Sequence, residues 1–229
     1  ISVRFFVDRG QDKEPTSKTY AKYEAIVSQM GERISLDTQA EVDTFEIDLG
    51  GGARMTCYAA NGYVRGRDTA VRYVNTENER SLCFLIRYGG FDYLLGGDTI
   101  GRKAGSENAK VELAIGESLV RDGIHVDVYH ANHHGANNGS STPFLELIRP
   151  EIAVISLGDG NSHGHPHADA LQRLQRAGVQ RIYQTETGTT EGNIPSAVQA
   201  LQSIVNGHIL LSSDGEHYSI NETTFEVDH

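Results

Sequence analysis

The order of apolar segments predicts an α/β fold. From Ser81 onward the segments read strand, strand, helix, strand, helix, strand, helix, strand, an alternation that lays helices against a sheet. Two observations support it. Residues 81–88 and 91–96 have the pattern of a hairpin turned at Gly89-Gly90, and no internal repeat, heptad run or low-complexity stretch points to another architecture. With 229 residues the chain can bury one substantial core, so a single domain over 1–229 is expected.

Taken in order, residues 3–7 (VRFFV) read as a strand ended by Asp8-Arg9-Gly10. Pro15-Thr16-Ser17 supplies a helix start, Tyr20, Tyr23, Ile26, Val27 and Met30 follow at helical spacing, and Gly31 stops the run. From Ile34 to Asn61 the pattern becomes alternating, with Phe45, Ile47 and Leu49 on one face before the Gly50-Gly51-Gly52 turn and Met55, Cys57 and Tyr58 after it. The polar stretch 62–80 reads as a loop, long enough to be an insertion near a site or a cover for one. After the hairpin, Val111 to Val120 marks a helix, 126–129 a strand, 143–148 a short helix, 152–157 a strand, 168–177 a helix with Leu171 and Leu174 inward, and 181–184 a strand. Ala197, Val198, Leu201 and Ile204 predict a further helix, and 208–212 with 218–220 a hairpin turned at Asp214-Gly215.

The formal net charge of -11 comes without a block of lysine or arginine, so polyanion binding by a basic surface is not indicated. No apolar run reaches the roughly 20 residues of a membrane helix, and no membrane contact is expected from this segment. Cys57 and Cys83 lie in apolar strands without CxxC spacing and read as buried thiols. Compartment stays open between cytoplasmic and exported. The chain starts at Ile1 without a signal-peptide pattern, which reads as an internal cut in a longer protein.

Chemistry concentrates between His125 and His167, which hold seven of the ten histidines. Asp98 leaves an apolar strand through Gly96-Gly97, and His133-His134-Gly135 follows another strand directly. A carboxylate and an imidazole delivered from neighbouring strand ends can share a divalent cation, which makes Asp98 and His133 the candidate metal ligands. His163 and His165 lie in the loop Asn161-Ser162-His163-Gly164-His165-Pro166-His167, again just past a strand, where imidazoles can act as acids, bases or ligands. No Gly-x-Ser-x-Gly elbow and no phosphate-cradling Gly-x-x-x-x-Gly-Lys occurs, so serine-hydrolase and nucleotide-kinase chemistry lack motif support.

The runs SLCFLIRYGGFDYLLGGD and NHHGANNGSSTPFLELIRPEIAVISLGDGNSHGHPHADALQRLQRAGVQRIYQTETGTT resemble the metallo-β-lactamase-fold domains of the ComEC family of competence proteins, over residues 77–190. The resemblance implies an αββα sandwich, here its C-terminal portion, with two divalent metal ions, zinc or manganese, at one edge. It implies hydrolysis of a phosphodiester by metal-activated water, as in a phosphodiesterase or nuclease. By motif match Asp98 and His133 are metal ligands, His134, His165 and His163 serve substrate or proton transfer, and Asn78 and Asn161 line the substrate side. Single-stranded nucleic acid or a small phosphodiester is the expected substrate.

One motif of that family, His-x-His/Asp-x-Asp-His, is absent from these residues. The expectation is therefore a partial site, inactive as this fragment unless paired with a missing N-terminal portion of the same polypeptide. Two other outcomes stay open: hydrolysis of a small ester, thioester or lactam on the same fold, and a metal-free binding domain without catalysis.

Overall fold

The computed structural model describes residues 3–10, 17–71, 74, 76–101 and 110–227. Pro15 and Thr16 of the expected helix start lie outside these; Ser17 caps the helix, its hydroxyl accepting the Tyr20 N–H at 3.1 Å. The chain is mixed α/β, with three sheets among the described residues. A short parallel pair, β1 (Phe5–Asp8) and β2 (Glu32–Ser35), brackets α1 (Lys18–Met30). Next come α2 (Gln39–Thr44), β3 (Glu46–Gly50), β4 (Ala53–Ala60) and β5 (Tyr63–Val64). The hairpin follows as β6 (Cys83–Tyr88) and β7 (Phe91–Leu95), paired Leu85 to Leu94 and Tyr88 to Phe91 as the Gly89-Gly90 turn requires.

Beyond it lie α3 (Val111–Arg121), β8 (Val128–His130), α4 (Thr142–Ile148), β9 (Ile152–Ile155), α5 (Ala168–Arg176), β10 (Arg181–Gln184), α6 (Ser196–Gln199) and β11 (Gln202–Ile204). Nine strands form the main sheet, in the order β11-β10-β9-β8-β7-β6-β4-β3, with β5 beside β4. Strands β7 to β11 run parallel, so the turns leaving β7, β8 and β9 emerge along one edge. In such sheets that carboxyl edge is where ligands bind.

Alternation along the strands separates two faces. Tyr129, Ala153, Ile155 and Ile182 pack against Ile115 and Leu119 of α3, Phe144 and Ile148 of α4, and Leu171 and Leu174 of α5. Val128, Ile152, Val154 and Tyr183 face the other way, onto Tyr218 and Ile220 of a small antiparallel sheet, β12 (Leu211–Ser213), β13 (His217–Ile220) and β14 (Thr223–Glu226). Each fully buried large apolar side chain contributes roughly 1.5–3 kcal/mol. The parallel strands are thus fixed from both sides. Cys57 and Cys83 are buried free thiols, as expected. No helix among the described residues is long and apolar enough to cross a membrane.

Three local expectations are corrected. Residues 39–44 are helical rather than extended, because Thr38 and Glu41 form a reciprocal capping box that nucleates a turn. The predicted helix to Ile204 stops at Gln199; residues 202–204 instead extend the sheet beside β10, where Ile182 pairs with Gln202. The last hairpin gains a third strand, β14.

Candidate functional site

Three turns meet at the carboxyl edge of the parallel strands. Strand β7 ends at Leu95, and Gly96 and Gly97, the latter at φ 57°, carry the chain to Asp98. Strand β8 ends at His130 and leads into a tight turn, Asn132–Gly135, in which His133 and His134 adopt left-handed backbone angles, φ 51° and 56°. Such angles cost non-glycine residues on the order of 1–3 kcal/mol each and persist only where surrounding contacts impose them. One such contact joins the two turns: the His133 N–H donates to the Gly97 carbonyl at 2.9 Å. The third turn, after β9, holds His163 and His165 and includes a cis bond between His165 and Pro166.

Asp98 and His134 pair directly, Oδ1 to Nε2 at 3.3 Å, and His134 Nδ1 lies 2.6 Å from the Ser156 carbonyl oxygen. Both ring nitrogens therefore face acceptors, which suits the imidazolium form. The hydrogen bond to Asp98 raises the His134 pKa against an opposing effect of burial. In return the hydrogen bond from His134, and with it the His134 charge, holds the Asp98 carboxyl below its ordinary value against burial.

His165 is displaced oppositely. Burial, followed by the neighbouring His133, His167, His134 and His163, lowers it to about 4. Its ring lies 5.5 Å from that of His133, 6.1 Å from His134 and 5.6 Å from His163. Two neighbouring imidazoles are thus displaced in opposite directions, His134 upward and His165 downward.

His133 has its tautomer set by its partners. The Asn78 amide Nδ2 lies 3.2 Å from Nε2 and can only donate; Asn138 Oδ1 lies 2.9 Å from Nδ1 and can only accept. The hydrogen therefore sits on Nδ1, and the Nε2 lone pair faces the Asn78 side.

The structure gathers Asp98, His133, His134, His163, His165 and Asn78 at this edge. Asn161 lies in the same loop as His163 and His165. Its side chain is engaged within its own loop, accepting the His165 N–H at 3.0 Å and donating to the His165 carbonyl at 2.9 Å, so it shapes the loop that carries the ring. Asn138 and the Ser156 carbonyl were not legible as site groups, because a polar loop residue and a backbone oxygen carry no pattern of their own.

Among the described residues, Asp98 and the histidines at this edge do not bring three donor atoms within 4.8 Å of one another. Among the described residues, one group of three brings donor atoms within 4.8 Å of one another: His125, Asp127 and Glu151, at the opposite, amino end of β8 and β9. No expectation covered Asp127 or Glu151. A catalytic zinc takes about three protein donors, so a metal at the carboxyl edge would need at least one donor beyond those Asp98 and His133 supply.

No protein-family model matches the sequence. The chain is 29% identical over 116 residues to ComE operon protein 3 of Bacillus subtilis (strain 168), covering 51% of this chain and 14% of that protein. It is 31% identical over 100 residues to Recombination protein 2 of Haemophilus influenzae, covering 44% and 11%. To Competence protein ComA of Neisseria gonorrhoeae it is 30% identical over 109 residues, covering 46% and 14%. The match thus spans about a seventh or less of each of these relatives.

Proposed function

We propose that this chain is a phosphodiester-directed, metal-dependent hydrolase domain of a competence-type protein, folded as part of a metallo-β-lactamase-like sandwich and acting on DNA during uptake. One observation carries the reading: a carboxylate and four imidazoles, Asp98, His133, His134, His163 and His165, converge from three separate turns at the carboxyl edge of a parallel sheet. Similarity to competence proteins supports nucleic acid as the substrate class. In this proposal Asp98 and His133 are the residues the chain contributes to a divalent metal, zinc or manganese, and the remaining donors come from polypeptide outside these 229 residues. The chain's own contribution to chemistry is positional and protonic. Asp98 orients His134, Asn138 and Asn78 orient His133, and His165 offers an uncharged nitrogen beside them.

A second reading has its own support: the donors at this edge do not close into a three-donor set, which favours a metal-free module that binds without hydrolysing. The two separate in one panel. The longer polypeptide that carries this chain together with the remaining donors is incubated with zinc or manganese and with bis(p-nitrophenyl) phosphate, single-stranded DNA or a chromogenic lactam. Metal-dependent release from the first two is expected. Release from the lactam alone would redirect the reading to small-molecule hydrolysis, and no release from any substrate, with retained DNA binding, would favour the binding module.

A further inference from the structure

The segment displaying His133 and His134 leaves β8 at Ala131 and enters α4 at Thr142, and both of its ends are tied to one buried carboxylate. Glu112, in the first turn of α3, is completely shielded from solvent. Its Oε1 accepts the Asn132 side-chain amide at 2.8 Å and the Ser140 N–H at 2.6 Å; its Oε2 accepts the Ser141 N–H at 2.8 Å. Asn132 immediately precedes His133, while Ser140 and Ser141 close the segment.

Two further side chains grip the same points. The Tyr129 hydroxyl accepts the Asn132 N–H and lies 2.9 Å from Ser140 Oγ. From the other side Arg173 of α5 donates to the carbonyls of Ser140 at 2.8 Å, Gly139 at 2.8 Å and Asn137 at 3.0 Å. Ser140 is buried and left-handed, φ 52°, so it needs such external bonds.

The Asp98 turn is fitted to this staple as well. A Cβ at Gly96 would overlap Asn132 Oδ1, and one at Gly101 would overlap Glu112 Oε2. The Gly101 N–H donates to the Asn138 carbonyl at 3.0 Å, and Asn138 Oδ1 is the atom that faces His133 Nδ1.

A carboxyl group taken wholly out of water is costly unless donors surround it, and hydrophobic packing alone would be served better by leucine at this position. The donors bonded to Glu112, the Asn132 amide, the Ser140 and Ser141 N–H groups and the Ser141 side chain, belong to the histidine segment. We infer that Glu112 is the positioning residue of the site, a single acceptor that closes the histidine segment at both ends, fixes the direction of the His133 ring and seats the Asp98 turn against it. Its consequence for turnover rests on the proposed hydrolytic function; its effect on the ring does not. Glu112 touches no reacting group and acts through Asn132 and Ser140.

The test uses Glu112→Gln, which keeps the shape but turns one acceptor into a donor facing donors, and Arg173→Met, which loosens the same segment from outside. Ring nitrogen NMR of the metal-free protein reads the His133 tautomer, with His217 on the remote small sheet as internal control. Wild type should show the Nδ1–H form; Glu112→Gln should lose that signature and Arg173→Met should weaken it, with His217 unchanged. Hydrolysis of bis(p-nitrophenyl) phosphate should fall about ten- to hundredfold in Glu112→Gln, the range for residues that orient ligating or reacting groups. Two folded variants that keep the wild-type His133 signature would overturn the inference. A moved signature in a protein whose wild type never hydrolyses the diester would instead sink the proposed function and leave the positioning role standing. Should neither variant fold, amide exchange in wild type decides: protection of the Ser140 and Ser141 N–H equal to that of β8 supports the staple, and exchange at open-loop rates overturns it.

Discussion

The two ends of the same parallel strands hold similar groups and use them differently. At the amino end His125, Asp127 and Glu151 bring their donor atoms within 4.8 Å. There the oxygens are engaged with the framework: Asp127 Oδ2 accepts the Asp92 N–H at 2.6 Å, and Glu151 Oε2 accepts the Tyr218 hydroxyl at 2.9 Å. Asp127 is fully buried. At the carboxyl end Asp98 and His134 are each nearly half exposed, and His133 and His134 sit on strained backbone. Crowding of donors is therefore a poor guide to a site. What distinguishes the carboxyl end is accessible polar groups displayed on turns that the surrounding fold forces into unfavourable angles.

That contrast can be broken most decisively by exchanging the carboxylates. Asp98→Ala should lower phosphodiester turnover by roughly a hundredfold or more, the scale of lost acid–base assistance, whereas Asp127→Asn should leave turnover unchanged; initial rates on bis(p-nitrophenyl) phosphate decide. In urea unfolding the ranking should invert. Asp127→Ala strands the Asp92 N–H and should cost about 1–3 kcal/mol, while Asp98→Ala, removing an exposed pair, should cost under about 1 kcal/mol.

Zinc titration followed by calorimetry sharpens the same comparison. If zinc binds the protein, His133→Ala should abolish the heat and His125→Ala should retain it; the reverse pattern would move the metal to the amino end. The smallest effect is on pH. The raised His134 pKa contributes stability that is complete below its ordinary 6.5 and is lost as pH rises through the folded value. Asp98, held low, contributes above its ordinary 3.8 and loses that contribution as pH falls through its folded value. His165, depressed to about 4, opposes folding progressively as pH drops from 6.5 toward 4. For the half-exposed Asp98–His134 pair the contribution amounts to about 1 kcal/mol or less. Ring NMR titration of the metal-free protein should place His134 above and His165 below the ordinary imidazole range, and coincident titrations would remove the distinction between them.

Much of the frame was legible because it is local. The β6–β7 hairpin follows from Gly89-Gly90, and the inward face of α5 from Leu171 and Leu174. Asp98 and His133 were legible because each directly follows an apolar strand and a glycine or leads into one. The α2 helix was hidden by an alternating pattern, although its Thr38 and Glu41 spacing carried the capping signal. Strand β11 depends on a neighbour far back in the chain, which no local pattern reports. Glu112 escaped for a related reason: its partners Asn132, Ser140 and Ser141 lie 20 to 29 positions away. A lone acid beside Val111, Ala114 and Ile115, all buried, was the one available sign.

The small C-terminal sheet also has a bearing on how the protein fails. It is contributed by one continuous stretch, reached through a link in which Leu210 is 67% exposed. A protease cut in that link would release β12, β13 and β14 together and bare Val128, Ile152, Val154 and Tyr183 across adjacent strands. Such a surface self-associates. Damage far from the histidines would thus show itself first as clumping in storage, with the chemistry of the surviving molecules still intact.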